Sequence, residues 1–184
     1  MLSDSKNIFW YALFAVNGKA AKISDYFEAA HIEYFYPVHY RERRINNSER
    51  KKYIIQPLLG NLVFVKSSQE FLEPHLQEIR QRFGISSNLY YRDLGTRKII
   101  VVPENSMRHF ITVASCIQER IIYLSSAETD LSKGKRVRII DGVFAGIEGV
   151  FMRIKGKKRV IVSLPELFSV ATASIPTEFI LLLE

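Results

Sequence analysis

The sequence changes character at SSAETDLSKG, residues 125–134, and this change limits the fold more than any other feature. The segment is small, polar and without periodicity, which is typical of a linker. Beyond it lie five short strand-like runs and no helical pattern: KRVRII, GVFMRIK, KRVIVSL, SVATASI and EFILLL. Five short strands in a stretch of about fifty residues favour a closed or partly closed β-barrel, because closure removes exposed sheet edges.

The part of the chain before the linker alternates between strand and helix patterns. An apolar, aromatic run at 7–16 ends at the turn signal Asn17-Gly18, and residues 19–31 carry apolar side chains at helical spacing. Later patterns predict strands at 32–44 and 53–67, the second broken around Pro57 and Gly60. They also predict a helix at 68–84 that ends at Gly84, a helix at 103–121, and the short strands NLYYRD and KIIVV. We predict an α+β N-terminal domain at 1–122, a linker at 123–132 and the barrel at 133–184.

Composition indicates a globular protein with a basic balance. Hydrophobic residues make up 47% of the chain and charged residues 24%, and the net charge of +7 favours polyanionic partners. No apolar run approaches the roughly 20 residues that span a bilayer, and the N-terminus lacks a signal-peptide pattern. Cys116 has no second cysteine with which to form a disulfide. We therefore expect a cytoplasmic protein.

The glycines of DGVFAGIEGV, residues 141–150, raise the question of a phosphate-binding loop. A P-loop needs GxxxxGK[ST], and a dinucleotide site needs GxGxxG between a strand and a helix. Here the spacing is GxxxGxxG and a strand follows, so no helix N-terminus is available for a phosphate. The pattern favours a tight turn at Asp141-Gly142, and positive φ or a sharp bend at Gly146 and Gly149.

Patterns for catalysis and metal binding are absent from the sequence. The four histidines are scattered at His31, His39, His75 and His109. There is no HExxH motif, no Cys/His pairing and no GxSxG elbow. We predict a protein that is not an enzyme and that uses no cofactor or metal.

Residues 133–154, KGKRVRIIDGVFAGIEGVFMRI, resemble the KOW motif of NusG-type transcription factors, which has the form G-x-x-V-R-[IV]-x-D-G-x-F-x-G-x-x-G. The matching positions are Gly134, Val137, Arg138, Asp141, Gly142, Phe144, Gly146 and Gly149. The earlier chain resembles the NusG N-terminal (NGN) domain, since the Trp10-Tyr11 strand, the helix, the basic loop and PLLGNLVFV follow in the family's order. The resemblance implies a ferredoxin-like antiparallel sheet with packed helices, a flexible linker and an SH3-like KOW barrel.

The departures from the family pattern favour a specialised paralogue. The family has roughly L-F-P-G-Y-V-F-V, whereas this chain has Gly60 and Leu62 in place of the Pro and the Tyr. The chain resembles the RfaH group and the UpxY-type antiterminators of capsular polysaccharide operons. The short first domain, which has no insertion, and Asn61 favour the same assignment. We expect suppression of pausing or termination at specific operons, such as surface polysaccharide loci.

The resemblance implies that the N-terminal domain binds the clamp helices of the RNA polymerase β′ subunit through an apolar pocket and bridges toward the β subunit. The positions that carry over are Phe14, Leu59, Leu62, Phe64, Tyr91, Met107 and Phe110. Phe64, Met107 and Phe110 also suit plain core packing, because apolar residues at regular spacing usually pack. Leu62 and Tyr91 are the better candidates for exposure.

Basic residues form a second candidate site, for nucleic acid. They are Lys19, Lys22, Arg41, Arg43, Arg44, Arg50, Lys51 and Lys52. In the family this side of the domain faces the non-template DNA strand, and nearby aromatics offer stacking surfaces for unpaired bases: Tyr34, Phe35, Tyr36 and Tyr40. The alternative is a solvated basic loop.

The barrel carries a third cluster, at a predicted hairpin tip: Arg153, Lys155, Lys157, Lys158 and Arg159. KOW barrels of the family contact RNA, a small-subunit ribosomal protein or the Rho termination factor, and Phe144, Ile147, Phe168 and Val170 are further candidates for such contacts. Two alternatives stay open: a KOW-type RNA- or ribosome-binding protein without polymerase binding, and an SH3-like interaction module. We expect a monomer. We also expect the C-terminal domain to keep its β-barrel fold rather than refold into helices as in RfaH, because its strand-like runs are rich in Val, Ile and Thr.

Overall fold

The computed structural model describes residues 8–44, 51–87, 89–116, 121–125 and 130–183, with the backbone alone at 39–44, 51–56 and 125. The chain forms two compact units, residues 1–101 and 102–184.

In its described residues, the N-terminal unit combines a sheet, two α-helices and a separate two-stranded ribbon. Its elements are β1 (Phe9–Phe14), α1 (Ala20–Ala29), β2 (Tyr34–Phe35), β3 (Val38–Arg44), β4 (Lys51–Pro57), β5 (Leu62–Ser67), α2 (Gln69–Phe83) and, at its boundary, β6 (Val101–Val102). The sheet has the order β2-β5-β1-β6, while β3 and β4 pair with each other. The strand predicted at 32–44 is divided into β2 and β3 around Pro37, which cannot donate a ladder hydrogen bond.

Apolar side chains are buried on both faces of this sheet. One face contributes Tyr11, Leu13, Val63 and Val65 to a core with apolar residues of α1 and α2, among them Ile23, Phe27, Leu72, Leu76 and Ile79. The opposite face carries Trp10, Ala12 and Phe64, which are also buried. This accounts for the continuous apolar runs of β1 and β5, because a sheet buried on one face would show alternation.

Helix α2 occupies the range 68–84 that the sequence predicts, and it is capped at both ends. The Ser68 Oγ accepts a hydrogen bond from the Phe71 N–H at 3.2 Å, and so caps the N-terminus. Gly84 has φ 60° and ends the helix, which confirms the C-terminal prediction. The Lys19 ammonium donates to the Phe83 carbonyl at 2.5 Å, where a cation also suits the helix dipole.

In the part that the structure describes, the C-terminal unit has one α-helix packed on an antiparallel sheet. Its elements are α3 (Glu104–Ala114), β7 (Ile122–Ser125), β8 (Lys135–Ile139), β9 (Glu148–Ile154), β10 (Lys157–Leu164), β11 (Phe168–Ala171) and β12 (Ile180–Leu182). The sheet order is β12-β8-β9-β10-β11-β7, and α3 packs against β10 and β11. The predicted α+β layout is confirmed: a sheet with helices comes first, and after α3 the described residues hold strands and short 3-10 turns.

The region between the two predicted domains differs from its sequence pattern. The helix predicted for 103–121 ends at Ala114, and Ile122–Ser125 pairs with β11, although 123–132 reads as a linker. The run is rich in residues that favour strands, so it can extend an open sheet edge. Residues 117–120 and 126–129 lie outside the described part of the chain. The predicted domain bounds stay a prediction, while the compact units divide at 101/102.

Candidate functional site

Four of the seven predicted polymerase-binding residues lie together at one end of the N-terminal sheet. Phe14 is directly opposite Leu62 in the ladder between β1 and β5. The Phe14 ring centroid is 6.3 Å from that of Tyr91, and the Leu62 N–H donates to the Leu59 carbonyl at 3.2 Å. Phe14 is 41% exposed, and the other three are half-buried. We call Phe14, Leu59, Leu62 and Tyr91 the apolar patch.

Backbone hydrogen bonds hold the apolar patch in place. The Ala15 N–H donates to the Asn61 carbonyl at 2.8 Å, which ties the end of β1 to the turn before β5. The Tyr91 N–H donates to the Ala12 carbonyl at 2.8 Å, so Tyr91 is fixed beside the same strand. Gly60, in the left-handed region at φ 58°, allows the tight turn. The patch is therefore carried by rigid backbone rather than by a free loop.

The other three predicted polymerase-binding residues are in the core. Phe64 is fully buried, on the sheet face opposite α1 and α2. Met107 and Phe110 are buried on α3 in the C-terminal unit, where the Phe110 ring meets the Phe168 ring at 5.3 Å in an edge-to-face arrangement. None of these three side chains presents a surface, and each has a packing role.

The predicted nucleic-acid residues divide into two groups. Lys19 caps α2, as described above, and Lys22 on α1 is exposed. The remainder lie on the ribbon or between its strands: Arg41, Arg43, Arg44, Arg50, Lys51 and Lys52. Arg50 lies outside the described residues, and the side chains of the other five are likewise not described. The backbone register places Arg43 opposite Lys52 and Arg44 opposite Lys51. The ribbon therefore carries four basic residues at two adjacent ladder positions.

Of the predicted stacking aromatics, Tyr34 already has a partner. The Tyr34 hydroxyl donates to the Glu28 carboxylate at 2.9 Å. Burial, followed by this hydrogen bond, raises the pKa of Tyr34 to about 12. Phe35 and Tyr36 are half-buried, and Tyr40 lies where the backbone alone is described.

The KOW-like residues in the C-terminal unit serve the backbone and the core. The Asp141 carboxylate accepts from the Gly142 N–H at 2.7 Å, and Gly142 and Gly146 have φ of 81° and 86°. This confirms the predicted turn glycines. Val137 and Phe144 are buried in the core.

Gly149 and Gly134 lie where neighbouring atoms leave no room for a side chain. A Cβ on Gly149 would overlap the Ile161 carbonyl, and one on Gly134 would overlap the Val150 side chain. Gly149 does not have positive φ, so its predicted role in a backbone bend is replaced by the close approach of β9 to β10. Arg138 completes the motif by pairing with Glu148 at 2.5 Å, which holds the pKa of that carboxyl below its usual value.

The further candidates in the C-terminal unit differ in exposure. Phe144, Ile147, Phe168 and Val170 are buried. Arg159 is also buried, and its guanidinium donates to the Thr172 carbonyl. The basic residues at the turn between β9 and β10 are exposed: Arg153, Lys155, Lys157 and Lys158. The positive turn, rather than the apolar residues, is the accessible surface here.

His109 is a buried titratable residue for which the sequence predicts no function. It lies on α3 beside β9, and its ring donates a hydrogen bond to the Glu148 backbone carbonyl. Burial, assisted by Arg108, lowers the pKa of His109. Among the described residues no cluster of His, Cys, Asp or Glu could hold a metal ion. In the same ranges, none of the helices has the length and apolar character to cross a bilayer.

A comparison with known families identifies the class of protein to which residues 9–111 belong. The family described as "Transcription termination factor nusG" matches residues 9–111, more than half of the chain. The chain therefore belongs to the NusG family, whose members are transcription factors that interact with RNA polymerase. A comparison with curated proteins gives no match.

Proposed function

We propose that this protein is a transcription elongation and antitermination factor that binds RNA polymerase through the apolar patch. The observation that carries the proposal is the patch itself, on a domain of the NusG family. Aromatic and large aliphatic side chains grouped on rigid backbone are what the buried centre of a protein interface requires.

The partner surface proposed for the patch is the clamp helices of the β′ subunit, with a second contact toward β. Two helices present ridges of side chains, against which Phe14 and Leu62 pack at the end of the sheet. A factor that binds better to the elongating conformation of the polymerase shifts its population toward that state, and no covalent step is needed. Pausing and termination decrease as a result.

A specialised role at particular operons, such as surface polysaccharide loci, is the second part of the proposal. Its support is the sequence of the β4–β5 turn, where Gly60 and Leu62 replace the family's Pro and Tyr. A leucine at this point packs without the hydroxyl that a tyrosine would offer, so the partner contact of this chain is more purely apolar.

Nucleic acid is proposed to contact the β3–β4 ribbon, and the KOW-like unit is proposed to contact RNA, a small-subunit ribosomal protein or Rho. The support for the ribbon is the register that sets Arg43 opposite Lys52 and Arg44 opposite Lys51, because four basic residues at adjacent ladder positions suit a polyanionic partner. The support for the C-terminal contact is the exposed basic turn between β9 and β10.

The test combines polymerase binding with in vitro transcription through pause and termination sites. Full-length wild type should bind core polymerase and shorten pauses, and Leu62→Asp should weaken binding by about 30-fold or more, since truncating an interface hot spot costs about 2 kcal/mol. Phe71→Asp is the matched control, because Phe71 is 58% exposed on α2 of the same unit. If the wild-type chain binds ribosomes and has no affinity for polymerase, the protein is instead a KOW-type RNA- or ribosome-binding protein.

A further inference from the structure

A short hairpin in the N-terminal unit carries an exposed leucine at its tip. Arg92 and Ile99 form an antiparallel bridge, and Leu94 in the turn between them is 82% exposed. Turn positions are usually occupied by Gly, Pro, Asn, Asp or Ser, so a leucine here is unexpected. Isolated exposed apolar residues are common in proteins, so the inference rests on three further features of this hairpin.

The first feature is rigidity. The Asp93 carboxylate accepts from the Thr96 N–H at 2.6 Å, and the Arg97 N–H donates to the Asp93 carbonyl at 2.9 Å. The Arg92 guanidinium donates to the Arg97 carbonyl at 2.9 Å, across the hairpin. A tip held by this many hydrogen bonds loses little conformational entropy on binding, so Leu94 is preorganised for contact.

The second feature is the charge around Leu94. Arg92, Arg97 and Lys98 are exposed, and the one carboxylate in the turn, that of Asp93, accepts hydrogen bonds within the turn. Those bonds, first among them the one involving Thr96, hold the pKa of Asp93 below its usual value, so the carboxylate stays ionised but engaged. The hairpin therefore carries an exposed apolar side chain at its tip and three exposed cationic residues.

The third feature is continuity with the apolar patch. Tyr91 belongs to the patch and immediately precedes the hairpin, and the Ile100 N–H donates to the Tyr91 carbonyl at 3.0 Å at the base of the hairpin. The patch and the hairpin thus share one rigid backbone connection to β1.

We propose that the 92–99 hairpin adds to the apolar patch a further contact with the polymerase. In this contact, Leu94 inserts into an apolar depression on the polymerase that is rimmed by carboxylates. This inference rests on the proposed function and names a further specificity-determining residue for it. A protein partner is favoured over nucleic acid because a leucine side chain has no aromatic face for base stacking and no hydrogen-bonding group. Carboxylates on the partner would pair with Arg97 and Lys98.

The test is a titration of core RNA polymerase with the full-length chain and its variants at several salt concentrations. Leu94→Ser should lower the affinity about 10-fold, and Leu94→Met, which keeps an apolar side chain, should retain it. Phe71→Ser is the control for losing an exposed apolar residue elsewhere in the unit. Arg97→Asn combined with Lys98→Gln should reduce the salt dependence of binding; Asn suits the φ of 60° at position 97.

The outcomes separate this inference from the proposed function. If Leu62→Asp abolishes binding while Leu94→Ser stays within twofold of wild type, the hairpin contact is wrong and the proposed function stands. If wild type has no affinity for polymerase, both fail. If Leu94→Ser has no effect on polymerase binding and Arg97→Asn with Lys98→Gln weakens binding to single-stranded DNA, the hairpin is a nucleic-acid contact and the inference is overturned.

Discussion

At the residue scale, the glycines of the KOW-like motif are required for two different structural reasons, which the sequence alone does not distinguish. Gly142 and Gly146 adopt positive φ, which other residues rarely do, whereas Gly149 has ordinary backbone but no room for a Cβ. Both requirements select glycine. The difference appears once β9 pairs with β10, which brings the Ile161 carbonyl so close that a Cβ on Gly149 would overlap it.

Gly149→Ala should therefore destabilise the protein. The added methyl group would force β9 and β10 apart, and overpacking of this kind costs about 1–3 kcal/mol in the free energy of unfolding. Gly95→Ala is the matched control, since a Cβ there meets nothing closer than 3.6 Å and the backbone is not in the left-handed region. Chemical denaturation of the full-length variants measures both, and equal stabilities would contradict the role given to Gly149.

At the scale of single elements, the cap of α2 can be tested directly. Ser68→Ala removes the acceptor for the Phe71 N–H and should cost about 1 kcal/mol of stability. Ser86→Ala, at an exposed loop position just beyond the same helix, should leave stability within about 0.5 kcal/mol of wild type. Thermal unfolding of both variants makes the comparison, and a cap without effect would show that packing alone holds the first turn.

The packing of α3 on the C-terminal sheet should depend on pH through His109. Its pKa in the folded chain is lowered from 6.5 by burial, so the unfolded chain takes up the proton more readily. The free energy of unfolding should therefore fall as pH drops below about 6.5 and level off once the folded residue also titrates. Arg108 and Arg138 oppose protonation, and Glu148 favours it.

His109→Gln, which can still donate to the Glu148 carbonyl, should flatten this pH dependence. Urea denaturation of wild type and variant between pH 7.5 and about 5 makes the measurement, a window chosen around the ordinary pKa of histidine. A variant that loses stability with falling pH as steeply as wild type would place the titrating group elsewhere.

The elements with strong local signals could be predicted from sequence, and those set by distant partners could not. Helices α1 and α2 and the break between β4 and β5 follow from periodicity, Gly84 and Pro57. The pairing of β7 with β11 depends on an edge that the sequence near Ile122 does not reveal. For the candidate site, the residue types of the patch were predictable, whereas the sequence left Phe64 open between polymerase binding and core packing. The burial of β5 on both faces decides for core packing.

At the scale of the whole molecule, the family match and the compact units divide the chain differently. The match to the NusG family runs to residue 111, inside α3, whereas α3 belongs to the C-terminal unit that begins at 102. The apolar patch and the 92–99 hairpin belong entirely to the N-terminal unit. The proposed polymerase contacts therefore use no side chain of α3.

The net charge of +7 raises the question whether DNA contact is local to the ribbon or a general effect of a basic protein. The double variant Arg43→Ala with Arg44→Ala removes two charges from the ribbon and lowers the net charge from +7 to +5. The double variant Lys157→Ala with Lys158→Ala lowers the net charge by the same amount at the β9–β10 turn. If the ribbon holds the DNA, the first pair should weaken binding to a single-stranded DNA probe. It should also lower the salt slope by about 1.4, at about 0.7 per lost phosphate contact.

The second pair should then leave the affinity and the slope for that probe nearly unchanged, because long-range attraction between exposed charges is screened beyond about 8 Å at physiological salt. Fluorescence anisotropy across a salt series provides both quantities. Equal losses for the two pairs would mean that DNA responds to the overall charge of the chain. A loss confined to the second pair would move the nucleic-acid contact to the C-terminal unit, where Lys157 and Lys158 are exposed.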